Sequence, residues 1–287
     1  LTTDEQVRFS KQFGDLVEHP MTTAAPQRKS GPIAVDRAVL PITHHARNDV
    51  WHADITFMEV PPSLSFLYGV TPIGDERDET HFANCYQAYD ELSEGMQQWL
   101  EGMDAVHTGR HLLAVGQKLD YGGAEAAKQG REQGNFATDE SAIQIPLDML
   151  HPCIRRHPET GRKSLYINLG FMDRFDGWTA EESEPLMKML VDVATEESCV
   201  YKHRWRKGDL VCWDNRALLH YGVHEYDEKL IKRYMVRTAT TPASEGRPRD
   251  IHGGVPDRAP QGATSAADAS RFNPNLAPPP AGGARGR

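Results

Sequence analysis

Three residues of this chain have the types and spacing of an iron site. In WHADITF, His52 and Asp54 are two positions apart, and WDNRALLHYGV supplies His220 far down the chain. Residues two apart in a strand point to one face, so a single strand can aim an imidazole and a carboxylate at one point. His220 would complete a facial set. Two histidines and one carboxylate leave half of an octahedral shell open, the arrangement used by non-haem Fe(II) oxygenases, so the set proposes both a metal and an oxidative chemistry. The spacing alone is common in a chain with 13 histidines and 41 acidic residues. The flanking segments are what single it out.

Strand signals begin near Leu40. SLSFLYGV is apolar and β-prone, bounded by Pro61, Pro62 and the charged IGDERDE loop. CIRRHPETGRKSLYIN reads as two strands joined by the PETG turn, and CVYKHRWRKGDLVCWDN as two more around Lys-Gly-Asp. Helices are interposed. AYDELSEGMQQWLEGM has helical spacing, with Tyr89, Leu92, Met96, Trp99 and Leu100 near one face. Thr2 with Glu5, and Thr179 with Glu182, fit capping boxes at the starts of two further helices, the first stopped by Gly14. Periodicity alone therefore predicts a β-rich α+β fold.

WHADITF followed by PPSLSFLYGV, then ETHFANCYQAYDELS, and later GDLVCWDNRALLHYGVHEYDEKLIKRYMVRTAT, resembles the taurine dioxygenase (TauD/TfdA-like) family of Fe(II)/2-oxoglutarate-dependent dioxygenases in order and spacing. The resemblance runs from about Leu1 to Thr240. It implies a mainly β fold, a double-stranded β-helix (jelly-roll, cupin-like) core with flanking helices. It also implies His52, Asp54 and His220 as ligands of Fe(2+), with 2-oxoglutarate and O2 as co-substrates. Iron held by two neutral imidazoles and one carboxylate keeps a net positive charge and attracts an anionic keto acid. Oxidative decarboxylation of that acid to succinate and CO2 would leave an iron-bound oxidant able to attack a substrate C–H bond, the hard chemistry residing in the cofactors.

Further roles follow from the same resemblance. Arg233 matches the arginine that binds the distal carboxylate of 2-oxoglutarate, and Thr80 the hydroxyl that helps it. Arg237, four residues on and ~13 Å away on the same face of a strand, matches the arginine that holds the acidic group of the primary substrate. Arginine suits both tasks because its planar fork pairs two-pronged with a carboxylate and stays charged. His19, Asn48 and Phe171 match substrate contacts of relatives, whereas Thr22 stands where the taurine enzyme has a tyrosine, which widens the pocket. The implied reaction is hydroxylation, with cleavage in suitable cases, of a small anionic sulfonate, sulfate ester or aryloxyalkanoate. The alternatives are another oxidative outcome on the same iron, such as desaturation or decarboxylation, and a redox-silent cupin-like binding protein.

Composition bounds the rest. At 287 residues and 39% hydrophobic the chain can bury a sizeable core. A net charge of −9 and a pI near 5.8 argue against nucleic acid as a partner. Cys85, Cys153, Cys199 and Cys212 form no C-x-x-C pair, which points to free thiols in a reducing cytoplasm. No apolar run reaches the ~18 residues of a membrane span, so a soluble protein without a membrane partner is expected. Whether it forms a homo-oligomer is left open. Residues 1–241 are expected to form the catalytic domain, with a lid-like insertion at about 109–142 and an N-terminal segment, including a strand, missing before Leu1. The Pro-, Gly- and Ala-rich stretch 242–287 is expected to be disordered.

Overall fold

Alternation along Tyr234–Thr241 shows how the chain builds two faces at once. Met235 and Ala239 turn inward, while Val236, Thr238 and Thr240 turn outward, all of them buried. Such a strand is covered on both sides. The computed structural model describes residues 1–19, 38–43, 50–73, 78–109, 148–223 and 233–241, which belong to one compact unit. Asn48, Thr22, the expected tail and all but Gly109 of the expected lid lie outside the described residues.

In chain order the first elements are α1 (Thr3–Ser10), β1 (Asp15–Leu16), β2 (Leu40–Thr43), β3 (Leu64–Thr71) and β4 (Glu79–Asn84). Next come α2 (Cys85–Glu91), α3 (Glu94–Leu100), β5 (Asp104–Thr108), β6 (Asp148–Pro152), β7 (Ile154–Arg156), β8 (Lys163–Leu165) and β9 (Met172–Phe175). The last are α4 (Ala180–Ala194), β10 (Val200–Arg204), β11 (Leu210–Asp214), β12 (Leu218–Gly222) and β13 (Tyr234–Thr241). One antiparallel sheet runs β1-β13-β3-β11, with β2 also paired to β13. A second runs β10-β4-β12. Successive strands β10, β11, β12 and β13 thus alternate between the two sheets, as do β3 and β4. This alternation makes the core a double-stranded β-helix.

The sheets meet through Leu67, Phe82, Trp205, Trp213 and Met235. On the far side of the second sheet, Ala83 and Leu219 join the larger core formed with Ala88, Tyr89, Leu190 and Phe175. That side is closed by α2 and α4, the sheet β6-β5-β9 and the hairpin β7-β8. Over the first sheet lies α1, whose buried Gln6 donates through Nε2 to the Val236 carbonyl at 3.0 Å. Its Ser10 hydroxyl lies 2.6 Å from that of Thr238. Both capping boxes form, at Thr2 with Glu5 and at Thr179 with Glu182.

Two segments depart from the sequence reading. The single helical stretch expected over AYDELSEGMQQWLEGM is two helices, because Ser93 accepts from Met96 N–H and starts α3 afresh. The Lys-Gly-Asp turn between β10 and β11 is present, with Gly208 at φ +93°. Rather than closing a hairpin, it carries the chain from one sheet to the other, and the buried Trp205 fills the corner.

Candidate metal centre

His52 and Asp54 are not aimed by a shared strand. His52 forms one isolated antiparallel bridge with His220, its N–H reaching the His220 carbonyl at 3.1 Å and the reverse bond measuring 2.8 Å. The chain then turns at Asp54. Ile55 follows at φ +52°, a left-handed conformation that strains a β-branched residue by ~1–3 kcal/mol. Burial of Ile55 with Phe57 and Phe171 offsets that strain. On the other side of His52, Gly170 approaches so closely that a Cβ there would sit 2.7 Å from the His52 Cβ. Backbone pairing, a strained turn and a side-chain-free neighbour together place the first imidazole and the carboxylate.

His52 Nδ1 lies 2.9 Å from the Val50 carbonyl, which can only accept, so Nδ1 carries the proton and Nε2 presents its lone pair. That Nε2 is 3.9 Å from Asp54 Oδ1, and His220 Nε2 is 3.7 Å from the same oxygen. The imidazole rings are 4.0 Å apart between centroids. Burial, with the Asp54 charge working the other way, lowers the pKa of His52, and burial together with His52 pushes His220 well below the usual histidine range. Both rings are therefore neutral at pH 7, the form in which an imidazole can bind a metal. Burial would raise the Asp54 pKa, but Arg237 above all, with the Ser65 hydrogen bond, holds it well below the usual carboxylate range. Donors up to ~4 Å apart can share one ion at bonds of ~2.1 Å, so two imidazoles and a carboxylate in this geometry fit a divalent metal. Among the described residues, this is the group of histidine, cysteine and acidic side chains gathered closely enough to hold one.

A buried relay supports the carboxylate. Trp213 Nε1 donates to Asn215 Oδ1 at 3.0 Å, Asn215 Nδ2 donates to Ser65 Oγ at 2.8 Å, and Ser65 Oγ donates to Asp54 Oδ2 at 2.6 Å. The other carboxylate oxygen, Oδ1, accepts from Arg237 Nη1 at 2.6 Å. Arg237, matched by resemblance to the arginine that holds the substrate's acidic group, thus also bonds the candidate ligand. Its place at position four of β13, opposite Leu67 of β3 and two residues along the sheet from Ser65, puts it against the ligand itself.

The residues expected to bind 2-oxoglutarate gather one step away. Thr80 lies two residues before Phe82, which pairs with His220 across β4 and β12, so the step along the strand is ~7 Å. Thr80 Oγ1 accepts from Trp205 Nε1 at 2.9 Å. Arg233, just before β13, donates through Nε to Asp78 Oδ1 at 2.7 Å, and Asp78 Oδ2 accepts from Ile73 N–H at 2.7 Å. Both members of that ion pair are buried. Of the residues expected to touch substrate, Phe171 packs edge-on to His52 with centroids 6.2 Å apart. His19 lies beside Arg237 and Asp54, its pKa pushed down to about 3 by burial and by Arg237. With Arg237, Ile55 and Leu40 it lines a cavity of about 10 Å³, room for a single water.

Sequence reasoning missed Ser65, Asp78, Gly170, Trp205, Trp213 and Asn215. A signal existed for Ser65, a polar residue at an inward position of an otherwise apolar strand, and for Asp78, an acid two residues before Thr80. The others take their meaning from contacts distant in sequence.

A jelly roll holding a buried set of two histidines and one carboxylate defines a non-haem iron oxygenase. A model of the family described as "Taurine catabolism dioxygenase TauD, TfdA family" matches residues 1–239, and the chain belongs to that family. It is an Fe(II)- and 2-oxoglutarate-dependent dioxygenase. An alkylsulfatase of Acinetobacter baylyi is 31% identical over 245 residues, covering 84% of this chain and 71% of that protein. An (S)-phenoxypropionate/alpha-ketoglutarate-dioxygenase of Sphingobium herbicidovorans is 32% identical over 247 residues, covering 85% and 81%. The crystal structure of a taurine dioxygenase from Burkholderia xenovorans shares the fold at a TM-score of 0.63 and 24% identity, covering 88% of this chain and 81% of that one.

Proposed function

We propose that the enzyme hydroxylates, and in suitable cases thereby cleaves, a small anionic organic acid, with sulfate esters, sulfonates and aryloxyalkanoates as the leading classes. The observation that carries this reading is Arg237, whose guanidinium lies against Asp54 with its side chain 11% exposed beside the His19 cavity. A fixed cation beside the candidate metal set favours a substrate that brings its own negative charge. The relatives' names agree, being those of an alkylsulfatase and a phenoxypropionate dioxygenase.

In this reading His52, Asp54 and His220 hold the iron, which with 2-oxoglutarate and O2 supplies the oxidising chemistry. The chain's own residues supply position. Asp78 fixes the Arg233 guanidinium where a distal carboxylate would pair with it, and Trp205 fixes the Thr80 hydroxyl nearby. Phe171 and Phe57 wall the His52 side and exclude water. Four free cysteines, three of them buried, support a reducing compartment and hence the cytoplasm. No helix among the described residues is long and apolar enough to cross a membrane.

The test is succinate release with Fe(II), 2-oxoglutarate and a panel of matched acids, amides and alcohols. Acids are expected to be the substrates. Arg237→Gln should weaken use of the acid by ~2–5 kcal/mol, or roughly thirty- to several-thousand-fold in kcat/KM, with far less effect on 2-oxoglutarate binding. Equal oxidation of the neutral compounds would remove Arg237 as the substrate anchor.

A further inference from the structure

We infer that the relay from Trp213 through Asn215 and Ser65 fixes how Asp54 can bind a metal, holding Oδ2 away from it and presenting Oδ1, which also accepts from Arg237 Nη1, as the one oxygen that faces both imidazoles. The inference rests on the iron reading of the site and adds positioning residues to it. Every direction in the relay is forced. Indole Nε1 and the Asp54 backbone N–H are donors only, and they lie 3.0 and 3.3 Å from the same Asn215 oxygen, so the amide can have only one orientation. Its Nδ2 therefore faces Ser65 Oγ and donates to it. With a donor already on its oxygen, the Ser65 hydroxyl directs its proton to Asp54 Oδ2, at 2.6 Å. Trp213, Asn215, Ser65 and Asp54 are 4, 1, 0 and 2% exposed, so water does not compete for these bonds. Asn215 is itself pinned by its N–H to the Ser63 carbonyl at 2.8 Å.

Both imidazole nitrogens measured against Asp54 approach Oδ1; Arg237 Nη1 takes one lone pair of that oxygen at 2.6 Å and leaves the other for a metal. A carboxylate bound through one oxygen leaves three octahedral positions open. Bound through both, it leaves two, too few for a keto acid that chelates through two atoms and for O2 as well. The relay is thus a device for coordination number, made of residues that do not touch the metal.

Ser65→Ala removes the donor while keeping the packing, and its melting temperature reports whether the fold is intact. The probe is Mn(II), followed by calorimetry and by its enhancement of water proton relaxation, with 2-oxoglutarate added second. In the variant we expect Mn(II) affinity within about threefold of wild type, water relaxation by bound Mn(II) lower by about a third, as open positions fall from three to two, and at least tenfold weaker 2-oxoglutarate binding. Trp213→Phe, which keeps the ring and loses the N–H, should shift the last two readouts the same way by a smaller factor. Unchanged relaxation and 2-oxoglutarate affinity in a folded, Mn(II)-loaded Ser65→Ala protein would overturn the inference and leave the iron site standing. Wild-type protein that binds no Mn(II), or binds 2-oxoglutarate equally without it, would instead overturn the metal reading, and the inference with it.

Discussion

Asp54 carries three loads at once, since one oxygen accepts from Ser65, the other accepts from Arg237, and both histidines approach the latter. Removing it should be decisive. Asp54→Ala is expected to abolish coupled turnover and stoichiometric metal binding, and wild-type enzyme should regain activity with ferrous iron and a reductant. Zn(II), which binds such ligands at least as well as Fe(II), should occupy the site and block it. Full activity of Asp54→Ala, or undiminished wild-type activity in a strong chelator, would remove the triad. Arg233 tests a different part of the site. Arg233→Gln is expected to raise the 2-oxoglutarate requirement by ~2–5 kcal/mol, more than thirtyfold, while metal affinity stays nearly constant. It should also destabilise the fold by ~3–5 kcal/mol, because it leaves the fully buried Asp78 without its charge partner. Urea denaturation beside a 2-oxoglutarate titration separates the two effects.

At the scale of elements, the ends of segments decide more than their middles. Ser93 starts α3 only two residues after α2 stops at Glu91, and its hydroxyl accepts from Met96 N–H. Ser93→Ala is expected to destabilise the protein by ~1 kcal/mol without changing kcat/KM, checked by thermal unfolding and succinate release. Periodicity had merged the two helices because Leu92, Met96 and Leu100 continue one apolar face across the break. A face can run on where the backbone does not. Two strands of the first sheet were legible, since apolar residues with β-prone neighbours run through SLSFLYGV and YMVRTAT. The assignment of strands to sheets was not, because β10 and β11 are neighbours in sequence yet pair with β4 and β3 in different sheets. The candidate metal set was visible as residue types, but the geometry that gathers it was not. A bridge to His220 and a strained Ile55, rather than a shared strand face, aim His52 and Asp54. The buried ion pair Arg233–Asp78 and the relay to Ser65 join residues more than a hundred positions apart, which no local pattern encodes.

Across the whole molecule, burying so many neutral imidazoles makes stability depend on pH. His107 is fully buried between Thr56, His151 and Tyr166, and burial, reinforced by Arg155, lowers its pKa to about 3. The pKa of His19 likewise falls to about 3. An unfolded histidine titrates near 6.5, so between pH 6.5 and about 3 the unfolded chain binds protons that the folded chain excludes. Stability therefore rises with pH across that window and is lost as pH falls. His107 and His19 together should lower the unfolding free energy by ~3 kcal/mol between pH 7.5 and 5.5, each contributing ~1.4 kcal/mol. The candidate ligands His52 and His220 shift in the same direction and steepen the loss. Metal binding needs those two imidazoles neutral, and burial keeps them so in the folded protein, so added Mn(II) should raise the melting temperature at pH 7.5 and at pH 5.5 alike. Urea unfolding at pH 7.5, 6.5 and 5.5, with and without Mn(II), measures both effects. A stability that stays level from pH 7.5 to 5.5 would mean that His107 and His19 are charged, or already exposed, in the folded protein. His107→Phe separates the contributions, since it should flatten the slope by about one proton while leaving the metal-dependent shift at pH 7.5 in place.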